Sequence, residues 1–358
     1  MPATSQALEL TALTTYPESV ASARVRIVEM GRHLERHGVS VSYAATLSES
    51  EYRALTGGGS AGDLVAALAK TQMRAFRGRR PPSHGLMLVH RLPSLLPQAT
   101  YGLPIDIYDF DDAIYLGHES GSGGMFRGLL KREAVRSRNY MRAARLVLAG
   151  NSVLATAATE YATRVEVVPS CVDPWLQPLR SATDTDTITL GWTGSRTTSG
   201  YLRPIFEAVD RMRSRGARVR LILMGADRRL TGPGIEHRLW SVHAERQLLS
   251  EIDVGVMPLR DDPWTRGKCG YKLLRYFAAG LPTIGSPVGV NAELLHGGAG
   301  LAAFTASDFM VAIGELRSDP AARTQRGIQA RGFVEREYSF QVWAPRLTEL
   351  LRDLSRDN

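Results

Sequence analysis

A chain of 358 residues has room for two domains of roughly 170 residues, each with its own core. Hydrophobic residues at 44% and charged residues at 22% exclude wholesale disorder, and two distant cysteines, Cys171 and Cys269, without metal-ligand spacing, exclude a disulfide framework or zinc module. The net charge of +8 suits nucleic acid, an anionic membrane face or phosphorylated small molecules, but the basic residues are scattered and form no nucleic-acid module.

The first 20 residues form no leader, and no run approaches the roughly 18 apolar residues that span a bilayer, so a cytoplasmic protein is expected, with peripheral contact to the inner membrane face left open. ALELTALTTYP predicts a strand entering a loop, Ala23 to His37 a helix, and VSVSYAA a strand ending at Ala45. A helix near Asp63 to Phe76 follows, then strands at 85–90 and 104–110, a helix near Leu129 to Ala144, and strands at ARLVLAG and 165–170. This alternation argues for a parallel sheet covered on both faces. The polar run PLRSATDTDT interrupts it, and ITLGWTG (188–194) restarts it. A helix from Tyr201 to Arg215, strand 219–225, helix Glu245 to Ile252, strand 254–259, helix Gly270 to Ala279 and strand PTIGS complete a second half in the same grammar. The fold expected is α/β with two Rossmann-like doubly wound domains facing an interdomain cleft. Their bounds are 1–176, completed by a C-terminal amphipathic helix over 338–358, and 177–337.

Only Lys70, Lys131, Lys268 and Lys272 are lysines, and two of these lie within five residues. They stand in a loop with Arg266, Gly267 and Gly270 between a buried strand and a helix. Free N–H groups and the positive helix end there suit a phosphate, with the lysines as point charges. A solvated basic turn is the plainer alternative. The turns AAGLP and GSPVGV put a second loop, Ser286 to Asn291, after the next parallel strand, where open α/β sheets bind ligands. At Gly191 to Ser195 small residues permit close backbone approach, and Thr198 or Ser199 is placed to cap the next helix. Met224 and Gly225 end the following strand. In the first half, DIYDFDDAIY ends a strand with Asp109, Asp111 and Asp112, where one carboxylate can serve as base or bind a hydroxyl, or cap a turn. No metal is assigned to them. Arg24 and Arg26 open the first helix against its dipole, which suggests an anionic partner. Arg91 follows the strand at 85–90, and Asn151 reads as an N-cap.

The stretch DVGVMPLRDDPWTRGKCGYKLLRYFAAGLPTIGSPVGVNAELL, Asp253 to Leu295, resembles the donor-site region of the family-4 retaining glycosyltransferases of the GT-B architecture, and the likeness extends over most of the chain. The resemblance implies a nucleotide-sugar co-substrate, UDP- or GDP-linked, no other cofactor, and no metal. It places donor contacts at Gly194, Ser195, Arg196, Thr198, Gly225, Trp240, Arg266, Lys268, Gly270, Lys272, Leu273 and Asn291, with Trp240 stacking on the base. Lys268 and Lys272 would neutralise the leaving diphosphate. Asp111 falls where the family holds a histidine beside the transferred sugar, and acceptor contacts fall on Arg24, Arg91 and Asp112. The acceptor itself, a small molecule, lipid-linked group or glycan, is undetermined. Two glutamates common in the family correspond here to Gly267 and Arg275. A non-catalytic nucleotide- or carbohydrate-binding relative is therefore the rival reading. An NAD-dependent oxidoreductase would need G-x-G-x-x-G after the first strand, where TTYPESVASAR has no glycine.

Overall fold

The computed structural model describes residues 7–57, 69–70, 73–74, 85–91, 105–117, 125–177, 179 and 186–357, with the main chain alone at 54–57 and 125–132. Most of the helix expected at 63–76 and of the polar run at 178–187 lies outside the described residues. Two compact units divide the chain: Met1–Cys171 with Phe340–Asn358, and Val172–Ser339.

In the first unit, β1 (Leu8–Thr14), β2 (Val39–Ala45), β3 (Leu86–His90), β4 (Ile107–Phe110), β5 (Leu146–Ala149) and β6 (Val165–Val167) form a six-stranded sheet in the order β2-β1-β3-β4-β5-β6. All five pairings are parallel. The runs LMLVH, IYDF and LVLA are buried along their whole length, which is why they read as unbroken apolar segments. β4 is shorter than expected because Asp106, before it, turns to accept from the Met87 N–H at 2.8 Å and pair with Arg145 at 3.0 Å.

The helix expected at 23–37 is built in three parts: α1 (Ala21–Ala23), a π-helical stretch Arg24–Glu29, and α2 (Met30–Glu35). The wider π turn changes which side chains face the sheet, and Arg24 and Arg26 within it are buried. α3 (Glu49–Gly57), α4 (Met125–Ala143) and α5 (Ser152–Ala158) follow. Asn151 caps α5, its side chain accepting from Leu154 N–H at 2.9 Å. A final helix, Phe340–Arg356, belongs to this unit. Its Phe340 stacks on His33 with centroids 4.8 Å apart, and Arg352 donates to the His37 carbonyl at 2.8 Å.

The second unit holds β7 (Ile188–Thr193), β8 (Val219–Met224), β9 (Ile235–Arg238), β10 (Val254–Met257), β11 (Thr283–Gly285) and β12 (Leu301–Ala302) in the order β12-β11-β10-β7-β8-β9, again all parallel. The sequence gives no warning of β9 or β12. β9 is polar and half-buried at the sheet edge, and β12 spans two residues. A 3-10 segment, Arg196–Leu202, precedes α6 (Arg203–Ser214), so the helix expected from Tyr201 begins later. α7 (Val242–Glu251), α8 (Pro263–Arg266), α9 (Tyr271–Ala278), α10 (Val290–Gly297), α11 (Ala306–Ser318) and α12 (Pro320–Glu337) complete the unit, and Phe340–Arg356 is α13. Among the described residues no helix is long and apolar enough to cross a membrane.

Candidate active site

Each sheet reverses its winding once, between β1 and β3 in the first unit and between β7 and β10 in the second. Beyond the carboxyl ends of the strands at such a point neighbouring loops turn away in opposite directions and leave a crevice. Most of the residues singled out in the sequence follow the carboxyl ends of strands in these two sheets.

In the second unit, β7 runs into Gly194 and Ser195. Ser195, not Thr198 or Ser199, is the N-cap here: it forms a reciprocal capping box with Thr198, whose Oγ1 accepts from Ser195 N–H at 3.2 Å. Arg196 starts the 3-10 turn and its side chain is exposed. Gly225 ends β8 with φ +75°, and a Cβ there would collide with the Gly194 carbonyl oxygen. The two turns therefore meet main chain to main chain, and the Gly194 N–H donates to Met224 O at 3.0 Å. Trp240 lies beside Gly225, half-buried against the cluster that contains Met224, Leu248 and Ile252.

After β10 the loop first makes the short helix α8, capped by Asp262 and Thr265, where the sequence predicts open loop. Arg266 ends it and is held by Asp261 at 2.6 Å, exposed. Lys268 follows, its Nζ 5.9 Å from the Trp264 ring centroid. Gly270, at φ +65°, is the N-cap of α9 and brings no side-chain cap to that helix end. Lys272 stands in the first turn with Nζ 5.7 Å from the ring centroid of Trp192 on β7, which sets it at the switch point between β7 and β10. Leu273 has its side chain wholly in the core, so any ligand contact from it is through the main chain. Asn291, in the first turn of α10, is fully buried. Its Nδ2 donates to Ser286 O at 3.4 Å, while Oδ1 has no partner and faces the Cα of Gly270.

Gly267 and Arg275 hold the two family glutamate positions. Gly267 is the buried C-cap of α8, and Arg275 is ion-paired at 3.6 Å with Glu245, a buried carboxylate from α7 that also lies 3.5 Å from Thr193 Oγ1. Tyr276 lies between β7 and β10, accepting from Thr193 N–H at 3.3 Å, and burial raises its phenol.

In the first unit Arg26 meets Asp109, and Arg91 meets Asp111 and Asp112. Arg26 grips Asp109 with Nε at 2.9 Å and a second bond from Nη2, and donates to Val168 O at 2.6 Å. Arg24 pairs with Glu29 at 3.5 Å and donates to Ser19 O. The anion suggested for these arginines is thus supplied internally, from a carboxylate 83 residues along the chain in the case of Arg26. Burial works to raise Asp109, but Arg26 and the bond from His90 outweigh it and hold the carboxyl at about 2.

Arg91, read as an acceptor contact, is committed to Asp111 at 2.6 Å and Asp112 at 2.6 Å. It has φ +60°, a left-handed conformation that costs a non-glycine residue about 1–2 kcal/mol and marks over-determined sites. Burial works to raise Asp111 as well, and Arg91, His90 and Arg26 together keep it below the ordinary carboxylate range. Two residues that sequence reasoning passed over complete the group: His90, fully buried at the end of β3, and Ser22 in α1. Their partners lie 19 to 89 positions away in sequence, so no local pattern announces them. Among the described residues no group of three or more His, Cys, Asp or Glu side chains is arranged to hold a metal ion.

A family model described as "Glycosyl transferases group 1" matches residues 188–319, the span from β7 through α11. No curated protein matches the sequence. Among solved structures, sucrose-phosphate synthase from Thermosynechococcus elongatus superposes with a TM-score of 0.70 at 14% identity, covering 98% of this chain and 100% of that one. Trehalose 6-phosphate synthase from Burkholderia multivorans gives 0.64 at 15%, covering 98% and 97%. HepE from Anabaena, solved with UDP and glucose, gives 0.64 at 14%, covering 96% and 99%. At such identities the likeness carries the fold, and it spans both units. Residues 188–319 thus match a group 1 glycosyltransferase domain, within a chain that has the two-domain α/β GT-B fold.

Proposed function

We propose that this enzyme transfers a sugar, with retention, from a uridine or guanosine diphosphate sugar to an acceptor hydroxyl in bacterial glycan or glycosylated-metabolite biosynthesis. The observation that carries this reading is Lys272 at the N-terminus of α9, beside β7 at the switch point of a group 1 glycosyltransferase domain. Main-chain N–H groups of that helix turn, the buried Asn291 and the ammonium groups of Lys268 and Lys272 suit a diphosphate. As the bond from sugar C1 to phosphate oxygen breaks, charge grows on the diphosphate, and preorganised cations stabilise it more in the transition state than in the ground state.

Gly194, Ser195 and Gly225 supply the close main-chain approach for the rest of the nucleotide, with Trp240 beside the base and Arg196, Thr198 and Arg266 at its rim. HepE was solved with UDP, which supports a uridine diphosphate donor. The carboxylate that the family takes from the Arg275 position is here replaced by Glu245, held by Arg275. In the first unit Asp111 serves the transferred sugar, and Arg24, Arg91 and Asp112 serve the acceptor.

Thermal shift against UDP-, GDP- and dTDP-linked sugars tests the reading, since a ligand that binds only the native state raises the midpoint. A raised midpoint and sugar transfer or hydrolysis with one donor class support it. A raised midpoint without turnover would leave the rival binding module in its place, and no shift with any of them would overturn the donor reading.

A further inference from the structure

Around the carboxyl ends of β7 and β10, three cations lie over aromatic rings. Lys268 Nζ is 5.9 Å from the Trp264 centroid, Lys272 Nζ 5.7 Å from that of Trp192, and the Arg260 guanidinium carbon 5.5 Å from that of Tyr201. The first two are donor contacts expected from the sequence, and Arg260 is not among them. Its main chain is fixed on both sides. Leu259 N–H donates to Ser286 Oγ at 3.0 Å, and the Arg260 carbonyl accepts from Thr265 Oγ1 at 2.6 Å. Its side chain crosses to the segment after β7, where Nη2 would stand 3.7 Å from a Cβ on Gly200. Tyr201 beneath it packs against the cluster that holds Leu259, Leu273 and Val288. The pair thus bridges the loops on the two sides of the switch point.

A carboxylate and a ring hold a guanidinium differently. A carboxylate neutralises it, whereas a ring face orients it and leaves its charge and its N–H donors for another anion. Nearby arginines show the contrast: Asp261 takes Arg266 at 2.6 Å, Asp227 takes Arg229 at 2.6 Å, and Glu245 pairs with Arg275 at 3.6 Å. Arg260 is exposed, and among the described residues no carboxylate pairs with it.

We propose that Arg260, oriented by Tyr201, is a third cation of the donor site and holds the phosphate next to the transferred sugar. The inference rests on the reading above that the second unit binds a nucleoside diphosphate sugar with its base beside Trp240. The sheet order gives the direction. Trp240 lies beside Gly225 at the end of β8, and β7 and then β10 come next across the sheet. A donor with its base at β8 extends its diphosphate toward β10, so the loop after β10 meets the phosphate farther from the nucleoside. The planar fork of Arg260 can give two parallel N–H bonds to one phosphate, which an ammonium cannot. In the transfer, the bond from sugar C1 to phosphate oxygen breaks and the nucleoside diphosphate keeps the bonding pair. C1 bonds to the acceptor oxygen, and the acceptor's proton leaves on the departing phosphate. Charge grows on that phosphate as its bond to C1 stretches, so its hold on Arg260 strengthens in the transition state. Arg260 touches the donor, and Tyr201 acts through it as a positioning residue.

The test is calorimetry with UDP, GDP and their monophosphates, beside steady-state kcat, on the full chain and on Arg260→Ala, Arg260→Lys, Tyr201→Leu and Lys272→Ala. Arg260→Ala should weaken the diphosphate that the wild type binds by about ten- to a hundredfold and leave its monophosphate within about twofold. Its kcat should fall by a factor of about ten to a thousand. Arg260→Lys keeps the charge without the fork and should recover part of both losses. Tyr201→Leu should show a smaller loss with the same split between diphosphate and monophosphate. If Arg260→Ala binds the diphosphate and turns over like wild type, or weakens monophosphate and diphosphate alike, Arg260 only clasps the two loops and the proposal is wrong. Lys272→Ala, weakened toward the diphosphate in the same assays, would then show that the donor reading still stands. If the wild-type chain binds neither UDP nor GDP, that reading falls and takes the third cation with it.

Discussion

Gly225 and Gly194 pack main chain against main chain: at φ +75° Gly225 presents its Cα to the Gly194 carbonyl so closely that no Cβ fits between them. The contact joins the turns after β8 and β7, the floor proposed for the nucleotide. Gly225→Ala therefore meets both an unfavourable left-handed conformation and a main-chain clash, which together cost about 2–4 kcal/mol. Urea unfolding should show that loss in the second unit, and calorimetry should show weakened donor binding. An alanine variant with unchanged stability would mean that this turn is looser than the structure shows.

Phe340 opens α13 on the first unit, 1% exposed and stacked on His33. Replacing it by alanine removes the ring and leaves a cavity, at a cost of about 3–5 kcal/mol. The loss should appear in the transition of the first unit, and removal of 340–358 should lower solubility and activity together. A truncated chain with full activity would contradict the packing.

Asp109 gives a pH signature. Its folded-state value of about 2 lies below the ordinary 3.8, so the stabilisation it brings is complete above the unfolded value and is lost as pH falls from about 4 toward 2. A depression of that size is worth on the order of 2 kcal/mol. Asp109→Asn leaves Arg26 buried without its counter-charge, and at neutral pH should cost about 3–5 kcal/mol. Unfolding of both proteins between pH 7 and 3 should show the gap constant at the top and narrowing only below about pH 4. A gap that shrinks already between pH 7 and 5 would assign the effect to another group.

Strands buried on both faces were legible because runs such as LMLVH and ITLGWT have no other use than a covered parallel sheet. The edge strand β9, IEHR, was not: its side chains are all half-buried and its place depends on β8 beside it. The glycine and lysine pattern at 266–272 was legible because a loop feeding a helix is local chemistry. The short capped helix Pro263–Arg266 inside it went unread, although Asp262 and Thr265 at cap spacing signal it. The cluster of Ser22, His90 and Asp109 had no signal at all, since its members come from α1, β3 and β4 and meet only through the sheet order. The partner of Arg26 is hidden for the same reason: Asp109 reaches it only through the sheet order.

Lys268 and Lys272 are the cations proposed to hold the donor diphosphate and stabilise it as it leaves. The most direct measurement is donor titration by calorimetry beside steady-state kinetics for Lys268→Ala, Lys272→Ala and Lys272→Arg, with exposed Arg317→Ala as the control for general charge loss. Removing either charge should weaken donor binding and lower turnover by a factor of about ten to a thousand, with partial rescue by arginine and no change for Arg317→Ala. If both lysine variants bind donor and turn over like wild type, the diphosphate is held elsewhere and the central claim is contradicted.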